Sequence, residues 1–478
     1  MKIQLVKIRF DNINALYYIN MKNKFLRYLM NALLVIVLLT TSCEKWVDPD
    51  LNIDPDNAMD VYSGLILPAA EGNLAFIFQG FDYVGVTGMW LQYFEGLDRQ
   101  ANGMYNYNLT ADDCDNFYGS LFSGVMTDCE NIIKRTSIAG SESPHLRGMA
   151  KVMKAVALAT AVGVWGDVPY TTALQGNLNL KPTFDSEENV YAAVQTLLTE
   201  AISDLSATGK DFEEAYISTA AQDLIYGGDF AAWKRAAYTL KARYELRLSR
   251  KAGKFSADNV LTNLASGIKD NDQDFQLNFI GNMDYVSDNP LWIFTEDRYG
   301  YAGNNPYFLG LLDDAGDPRL DVYDDGDLYI GGPALGYPSS PALFMSNFEA
   351  LFIKAECLWI KGDKPGAATA YNDAVTASLE KWDVTDATWL AANAAETGAT
   401  ITLSKIMNGK YVAMYAQGEA WSDYRRYQFA YPVLTPPVNN QTNGVQPSSF
   451  PYPTNEKVTN GANVPARSGL TNKLWAFQ

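Results

Sequence analysis

The stretch FEALFIKAECLWIKGDKPGAATAYNDAVTASLEKW, from Phe348 to Trp382, constrains the fold of this chain more than any other. Apolar side chains recur at helical spacing in its first half, which predicts a helix that ends at Gly362. A second helix is predicted to begin at Pro365, because the first turn of a helix is where proline's missing N–H group costs nothing. The stretch therefore predicts two antiparallel helices, and small side chains let them approach closely: Ala355, Gly362, Ala367 and Ala374.

The spacing in this hairpin matches the tetratricopeptide pattern, in which a turn glycine is followed by an A-x3-Y-x2-A helix. An ordinary helical hairpin is the alternative for this stretch alone. The sequence VWGDVPYTTA, residues 164–173, follows another long apolar helix, and we interpret it as a scaffold corner rather than the mouth of an active site. Gly166 permits the turn, Pro169 stops the helix, and Asp167 is expected to accept hydrogen bonds from local backbone amides.

Composition and charge exclude several classes of protein. The chain has 478 residues, 37 of them Lys or Arg and 55 Asp or Glu, for a formal net charge of −18. Because the basic residues form no stripe, the electrostatic footprint of a nucleic-acid-binding protein is missing. The single histidine, His145, precedes a predicted helix, where we expect a solvated or capping role rather than a catalytic or zinc-binding one.

The cysteines predict neither a disulfide nor a metal site. Cys114 and Cys129 lie on one predicted helix, where 15 residues correspond to about 22 Å, and a disulfide needs Cα atoms within about 7 Å. No Cys-x-x-Cys spacing is present. We therefore expect these thiols to pack as small apolar groups.

The N-terminal region predicts export. Residues 1–42 are interpreted as an upstream extension followed by a signal peptide that starts at Met21, with an apolar segment centred on Leu33–Leu39. Cys43 follows small polar residues, as the lipidated cysteine of a bacterial lipoprotein does, so we expect it to carry a lipid anchor. A plain secretory signal is the alternative. Residues 43–63 are acidic, contain proline and asparagine, and are predicted to be a tether.

Six segments carry a family resemblance and span nearly the whole chain after Cys43. They are NIDPDNA, GVWGDVPYTTA, WKRAAYTLKARYELR, FEALFIKAECLW, GEAWSDYRRY and FPYPTNEKVTN. Together with the lipoprotein signal, and in this order, they resemble the SusD/RagB family of cell-surface nutrient-binding lipoproteins of Bacteroidetes.

The resemblance implies an all-α, mostly helical fold with minor β structure, a single domain over residues 64–478 built on tetratricopeptide-like hairpins with long loop-rich inserts. The hairpins are expected at about residues 112–165, 187–250, 348–382 and 402–427, and the inserts at 76–110, 275–346 and 427–478. The resemblance also implies a location at the outer membrane, a SusC-like TonB-dependent transporter as partner, a glycan or oligosaccharide as ligand, and no catalysis. The inserts are expected to carry the ligand site.

Enzyme and metal chemistry find little support in the residues. A glycosidase needs two carboxyl groups about 5 to 10 Å apart, and a chain with 55 acidic residues will always contain such a pair. No nucleophile elbow or phosphate loop is present. Asp313–Asp327, DDAGDPRLDVYDDGD, lacks the spacing of an EF-hand, which leaves a loop turn or a calcium site of another kind. No cofactor and no metal are predicted.

Aromatic and amide side chains in two insert stretches are the predicted ligand contacts, because rings stack on sugar C–H faces while polar groups bond the hydroxyls. The residues are Arg99, Asn102, Tyr105, Tyr107, Trp292, Arg298, Tyr299, Tyr301 and Asn304. The alternatives are a non-glycan nutrient such as a peptide, a tetratricopeptide-like scaffold that only recruits other proteins, and a glycosidase.

Overall fold

The computed structural model describes residues 20–31, 33, 61–218, 222–467 and 469–478. Residues Tyr62–Gln478 form one compact unit and Met1–Val61 another, in which residues 20–31 and 33 are helical and exposed. The predicted lipidation site, Cys43, and the predicted tether as far as residue 60 lie outside the described residues.

Helices dominate the unit from Tyr62 to Gln478, which confirms the mostly helical fold class. In its first part, long helices are separated by short ones and by two stretches of π-helix, Phe81–Gly85 and Ser120–Met126. The helices here are α1 (Leu67–Phe78), α2 (Val86–Trp90), α3 (Arg99–Tyr105), α4 (Asp115–Gly119), α5 (Thr127–Arg135), α6 (Pro144–Trp165), α7 (Glu187–Asp204), α8 (Phe230–Leu246) and α9 (Ala257–Ala265).

The second part begins with short helices and returns to long ones. The helices are α10 (Pro290–Asp297), α11 (Pro306–Asp314), α12 (Leu320–Tyr323), α13 (Gly332–Leu335), α14 (Asn347–Ile360), α15 (Lys364–Glu380), α16 (Ala387–Asn393), α17 (Leu403–Ala413), α18 (Glu419–Arg426) and α19 (Thr454–Thr459). The predicted inserts thus contain short helices of their own.

Two helical hairpins, α6 with α7 and α14 with α15, have the most extensive packing between elements. In the first, Gly148 near the start of α6 lies so close to the end of α7 that a Cβ atom there would come within 2.7 Å of the Leu205 side chain. In the second, Gly362 has φ +83° and Asp363 caps α15 by accepting a hydrogen bond from the Gly366 amide at 3.0 Å. The predicted turn is confirmed, with the second helix beginning one residue earlier, at Lys364.

Helix α6 is the core helix of the unit. Among the described helices, it alone is long and apolar enough to cross a membrane, and its most apolar window is entirely buried in the protein. Its residues pack on all sides because α5, α7, α8 and the π-helix Ser120–Met126 surround it. An all-round apolar helix is typical of such a central position.

The turn after α6 requires a glycine and is stabilised by the carboxylate of Asp167. Gly166 has φ +82°, and a Cβ atom there would lie 2.1 Å from Arg467 Nη1, so the turn requires glycine. Asp167 Oδ1 accepts a hydrogen bond from the Glu187 amide at 2.9 Å, which satisfies the N-terminus of α7. The prediction that Asp167 bonds local backbone amides is therefore wrong, because its partner, Glu187, lies 20 residues further along the chain. Asp167 still helps to form a corner of the scaffold.

The expected solvated role of His145 is also wrong. Its ring is buried, stacks on Phe230 with centroids 4.3 Å apart, and places Nδ1 2.7 Å from Asp211 Oδ1. The same carboxylate accepts hydrogen bonds from the His145 and Leu146 amides, at 3.1 and 2.9 Å. Asp211 thus caps α6 from a distant segment, and His145 is held in place as a structural side chain.

The three described cysteines, Cys114, Cys129 and Cys357, are buried free thiols, as predicted. Burial raises the pKa of each thiol, which keeps it protonated and unreactive.

Three antiparallel strand pairs complete the fold. They are β1 (Phe94–Gly96) with β5 (Ala302–Asn304), β2 (Val168–Pro169) with β3 (Phe184–Asp185), and β4 (Phe275–Asn278) with β6 (Pro341–Met345). The first pair joins the insert at 76–110 to the insert at 275–346.

Buried ion pairs tie the later helices to α8. Arg243 lies in the last turn of α8 and Arg247 directly follows its end, and they reach carboxylates on α14 and α18, respectively. Arg426 on α18 pairs with Glu356 on α14. All of these side chains are buried, so each charge loses its hydration on folding and is stabilised by one specific partner instead.

Candidate ligand-binding site

The strand pair β1 and β5 brings the two predicted ligand stretches together. Phe94 pairs with Asn304 and Gly96 with Ala302. Beyond the strands, the amides of Leu97 and Asp98 both donate hydrogen bonds to the Tyr301 carbonyl, at 2.7 and 3.1 Å. The residues that follow β1 therefore lie beside the residues that precede β5.

Arg99 and Tyr301 meet at this junction. Asp98 caps α3 by accepting a hydrogen bond from the Arg99 amide at 2.8 Å, and Arg99 takes a positive φ of 45°. The exposed guanidinium of Arg99 lies over the Tyr301 ring, 5.2 Å from its centroid. One face of the Tyr301 ring is thus covered by a cation, and the ring is partly buried against the core.

Three of the predicted residues are buried. Tyr107 is 1% exposed and its hydroxyl donates to Gln446 Oε1 at 2.9 Å. Asn304 is 8% exposed, and its amide donates to the Tyr323 carbonyl at 3.1 Å and to Asp324 Oδ1 at 2.8 Å. Trp292 is buried on α10. Their polar atoms and rings are engaged within the protein rather than presented at its surface.

The other predicted residues lie nearer the solvent. Asn102 donates a hydrogen bond to the Gly96 carbonyl at 3.0 Å and so braces β1 against α3. Tyr105 is half-buried, and burial raises its pKa. Arg298 is exposed, with its guanidinium 5.3 Å from the centroid of the Phe294 ring.

Exposed and partly exposed tyrosines extend the junction into a surface. Tyr299 is 54% exposed, and its hydroxyl donates a hydrogen bond to Asp327. Tyr329 lies against it, with ring centroids 5.9 Å apart, and donates to Glu296 Oε2 at 2.7 Å. Tyr337 donates to Asp325 Oδ2 at 2.6 Å. We call Tyr299, Tyr301, Tyr329 and Tyr337, together with the carboxylates of Glu296, Asp325 and Asp327, the tyrosine surface.

The carboxylates fix both the orientation and the protonation of these rings. The hydrogen bond to Glu296 raises the pKa of Tyr329 to about 12, and the bond to Asp325 does the same for Tyr337. The hydrogen bond from Tyr299 lowers the pKa of Asp327. At neutral pH the phenols therefore stay protonated while Asp327 stays charged, so rings and acceptors are presented together.

A hollow of about 550 Å³ borders Asp325. Its walls combine aliphatic Leu309 and Leu320 with four aspartate side chains: Asp313, Asp321, Asp324 and Asp325. Across the described ranges, no three His, Cys, Asp or Glu side chains are grouped so as to hold a metal ion. Two of these carboxylates instead accept hydrogen bonds, Asp324 from the Asn304 amide and Asp325 from the Tyr337 hydroxyl.

Tyr329 and Tyr337 were not among the residues predicted from the sequence. They follow the aspartate-rich stretch Asp313–Asp327, and their hydroxyls donate to carboxylates 33 and 12 residues away in the sequence. The signal that could have found them is the interleaving of tyrosines and acids between Tyr299 and Tyr337.

The sequence of this chain matches a known protein family. Residues 82–337 and 332–453 match the model of the SusD-like family, described as starch-binding and associating with the outer membrane. The chain belongs to the SusD-like family. The resemblance predicted from its six segments is confirmed.

Solved SusD-like structures share the fold at low sequence identity. A SusD/RagB family protein from Bacteroides thetaiotaomicron is 22% identical, with a TM-score of 0.68 over 87% of this chain and 99% of that one. A SusD homologue from Bacteroides uniformis is 20% identical, with a TM-score of 0.70 over 88% and 100%. A chitin-binding SusD homologue from Flavobacterium johnsoniae is 20% identical, with a TM-score of 0.68 over 87% and 97%. No curated protein matches the chain.

Proposed function

We propose that this SusD-like protein is a cell-surface lipoprotein that binds a neutral glycan and passes it to a SusC-like TonB-dependent transporter without changing it chemically. Cys43 would anchor it in the outer membrane. The observation that carries the glycan assignment is the tyrosine surface, where exposed and partly exposed rings lie next to fixed hydrogen-bond acceptors.

The tyrosine surface can contact both the apolar C–H groups and the polar hydroxyl groups of a sugar ring. A pyranose presents C–H groups that pack on an aromatic ring and hydroxyls that donate to carboxylates. Tyr299 and Tyr301 supply rings, and Asp325 and Asp327 supply charged acceptors, whose hydrogen bonds are stronger than those of neutral groups.

Charge narrows the class of glycan. Glu296, Asp325 and Asp327 are exposed carboxylates within one patch, and the nearby Arg99 has Asp98 3.7 Å away. An anionic polysaccharide, such as one rich in uronic acid or sulfate, would meet like charges there. The charge distribution therefore favours a neutral glycan, and the starch-binding description of the family and the chitin-binding homologue support that class.

Isothermal titration calorimetry with soluble starch, chitooligosaccharides and an anionic polysaccharide tests the proposal. We expect one of the neutral ligands to bind, and Tyr301→Ala and Tyr299→Ala each to weaken binding at least about tenfold, or about 1.4 kcal/mol. Affinity for the neutral ligand should change little with ionic strength, because no opposite charges attract it.

Phe212→Ala is the matched control. Phe212 is a 59% exposed aromatic residue beside the N-terminus of α6, and its loss should leave affinity unchanged. Binding of the anionic polysaccharide alone would contradict the neutral-glycan assignment. Binding of peptides alone would assign another nutrient, and release of shorter sugars by the purified protein would contradict a purely binding role.

The anchor and the partner have separate tests. Cys43→Ser should release the protein from the membrane fraction while leaving glycan affinity intact. Co-purification of a large β-barrel protein from detergent-solubilised membranes after crosslinking would support the transporter, and recovery of the protein alone would contradict it.

A further inference from the structure

A cavity of about 470 Å³ lies apart from the hollow beside Asp325, between α11, α15, α16 and α17, and residues 430–433 close one side. This volume is within the range of about 300 to 1,000 Å³ that small-molecule sites occupy. The helices α15 and α17 belong to the scaffold, while α11 belongs to the insert that carries the tyrosine surface. The cavity therefore lies where the ligand insert meets the helical hairpins.

Aromatic rings form the wall of this cavity. Trp389 is held by a hydrogen bond from Nε1 to the Ala315 carbonyl at 3.1 Å, and the Arg319 guanidinium lies 5.6 Å from its ring centroid. Tyr307, at the mouth, is 42% exposed, and Tyr371 lines the interior. Rings that are fixed before a ligand arrives lose little conformational entropy on binding.

The charges of the cavity cancel. Arg319 is buried and donates from Nε to Asp317 Oδ1 at 2.9 Å, and both residues line the cavity. Lys405 pairs with Glu396 at 2.5 Å. Each cation thus has its own carboxylate, and an anionic ligand would gain no unpaired positive charge.

Two amide side chains give the cavity hydrogen-bond acceptors. Asn393 Nδ2 donates to the Trp389 carbonyl at 3.0 Å, and Asn408 Nδ2 donates to Ser404 Oγ at 3.3 Å. Both residues are exposed, and no donor in the described part of the chain reaches either amide oxygen. These oxygens can therefore accept hydrogen bonds from hydroxyl groups of a ligand.

We propose that this cavity is a second binding site for a neutral saccharide. Fixed rings, the aliphatic side chains of Leu311 and Val375, free amide oxygens and balanced charge together fit a sugar unit better than an ion or a purely apolar molecule. The inference rests on the proposed glycan-binding function and adds a separate site to it.

The two sites are close enough to act on one glycan chain. Tyr301, on the tyrosine surface, and Tyr307, at the cavity mouth, are six residues apart, which limits their Cα separation to about 20 Å. A polysaccharide held at one site would present further units to the other at a high effective concentration. Long glycans should accordingly bind more tightly than short ones.

Calorimetry with maltohexaose and chitohexaose, and with the corresponding soluble polysaccharides, tests the cavity. The cavity variant is Tyr307→Ala with Asn408→Ala, two exposed side chains whose loss should leave the melting temperature nearly unchanged. We expect this variant to keep the short-ligand affinity of the tyrosine surface, to lose a second, weaker binding event, and to bind the polysaccharide at least about tenfold more weakly.

The outcomes separate the two proposals. If Tyr301→Ala abolishes all binding and the cavity variant binds the polysaccharide as the unaltered protein does, the cavity is not a saccharide site and the proposed function stands. If the cavity variant loses binding and Tyr301→Ala keeps it, the cavity is the saccharide site and the tyrosine surface is not. If the unaltered protein binds no saccharide, both proposals are wrong.

Discussion

At the scale of single residues, carboxylates that cap distant helices hold the corners of this protein together. Asp167 is the clearest case, because its side chain accepts the Glu187 amide at 2.9 Å and lies 3.6 Å from the Arg467 guanidinium. The bond satisfies an N–H group that would otherwise be unpaired at the start of α7.

Asp167→Ala should therefore lower the free energy of unfolding by about 1 kcal/mol, the usual value of a lost N-terminal cap, with glycan affinity unchanged. Thermal unfolding and calorimetry measure the two effects. Asp167→Asn keeps an acceptor oxygen and should lose less stability. An unaltered melting temperature combined with lost affinity would contradict the scaffold role.

Glu71 is a second residue whose environment sets its chemistry. It is buried on α1, accepts the Leu224 amide at 2.7 Å, and has a pKa well above its ordinary value because of burial first and of the Asp223 charge second. The two oxygens of Asp223 accept hydrogen bonds from the amides of Ile225, Tyr226 and Gly228 and from the Trp233 indole.

The raised pKa of Glu71 makes stability depend on pH. The folded state holds the Glu71 proton more tightly than the unfolded chain, so its contribution is complete below the ordinary pKa of 4.5 and is lost as pH rises towards the folded-state value. In that window this one group removes at most about 1.4 kcal/mol per pH unit.

Glu71→Gln should flatten this dependence, because an amide keeps the acceptor for Leu224 and cannot ionise. We expect the melting temperature of the variant to fall less than that of the unaltered protein between pH 5 and pH 8, by an amount on the order of degrees. Parallel curves for the two proteins would show that Glu71 does not titrate in this range.

At the scale of elements, the buried ion pairs decide how the hairpins dock. Arg243 on α8 donates from Nε to Glu349 Oε1 on α14 at 2.8 Å, and both side chains are buried. Removing one partner of such a pair leaves an uncompensated charge in the interior, whereas removing both leaves none.

Glu349→Ala should accordingly destabilise the protein by about 3 to 5 kcal/mol, measured by urea unfolding. The double variant Arg243→Met with Glu349→Leu should recover most of that loss. Additive losses in the double variant would mean that packing of the two side chains, and not their charges, stabilises the contact between α8 and α14.

The helices themselves could be predicted because their signals are local. The hairpin of α14 and α15 follows from apolar spacing, Gly362 and Pro365, all within one stretch of chain. The buried ion pairs could not be predicted from the sequence. Arg243 pairs with a glutamate 106 residues away, and in the sequence it resembles any other basic residue of an amphipathic helix.

The same limit applies to the candidate site. Its two stretches could be predicted from aromatic and amide composition, but not which side chains face outward. Asn304 and Tyr107 are buried and donate hydrogen bonds to residues distant in sequence, the Tyr323 carbonyl and Gln446, whereas Tyr337 is exposed and donates to Asp325.

At the scale of the whole molecule, the last residues lock helices from distant parts of the sequence. Glu187 at the start of α7 accepts the amides of Trp475 and Ala476, at 2.8 and 3.1 Å. Phe477 packs on the Arg425 guanidinium, which lies 4.2 Å from its ring centroid. The C-terminal segment thus connects α7 with α18.

Deleting residues 474–478 should destabilise the unit by several kcal/mol. Leu474 and Phe477 are buried, each contributing about 1.5 to 3 kcal/mol, and Glu187 would lose two donors. Calorimetric unfolding should show one transition at a lower temperature. An unchanged melting temperature would mean that the segment merely rests on the surface.

The pairing of β1 with β5 has a consequence for how such a protein can acquire a new ligand. Its hydrogen bonds join backbone to backbone, including the two amides that meet the Tyr301 carbonyl, so they do not depend on side-chain identity. Exposed positions flanking the strands, such as Arg99 and Tyr299, can therefore mutate while the two inserts stay in register. Ligand preference can then change, and the two loops can be exchanged together between relatives, while the packing of the helical scaffold stays the same.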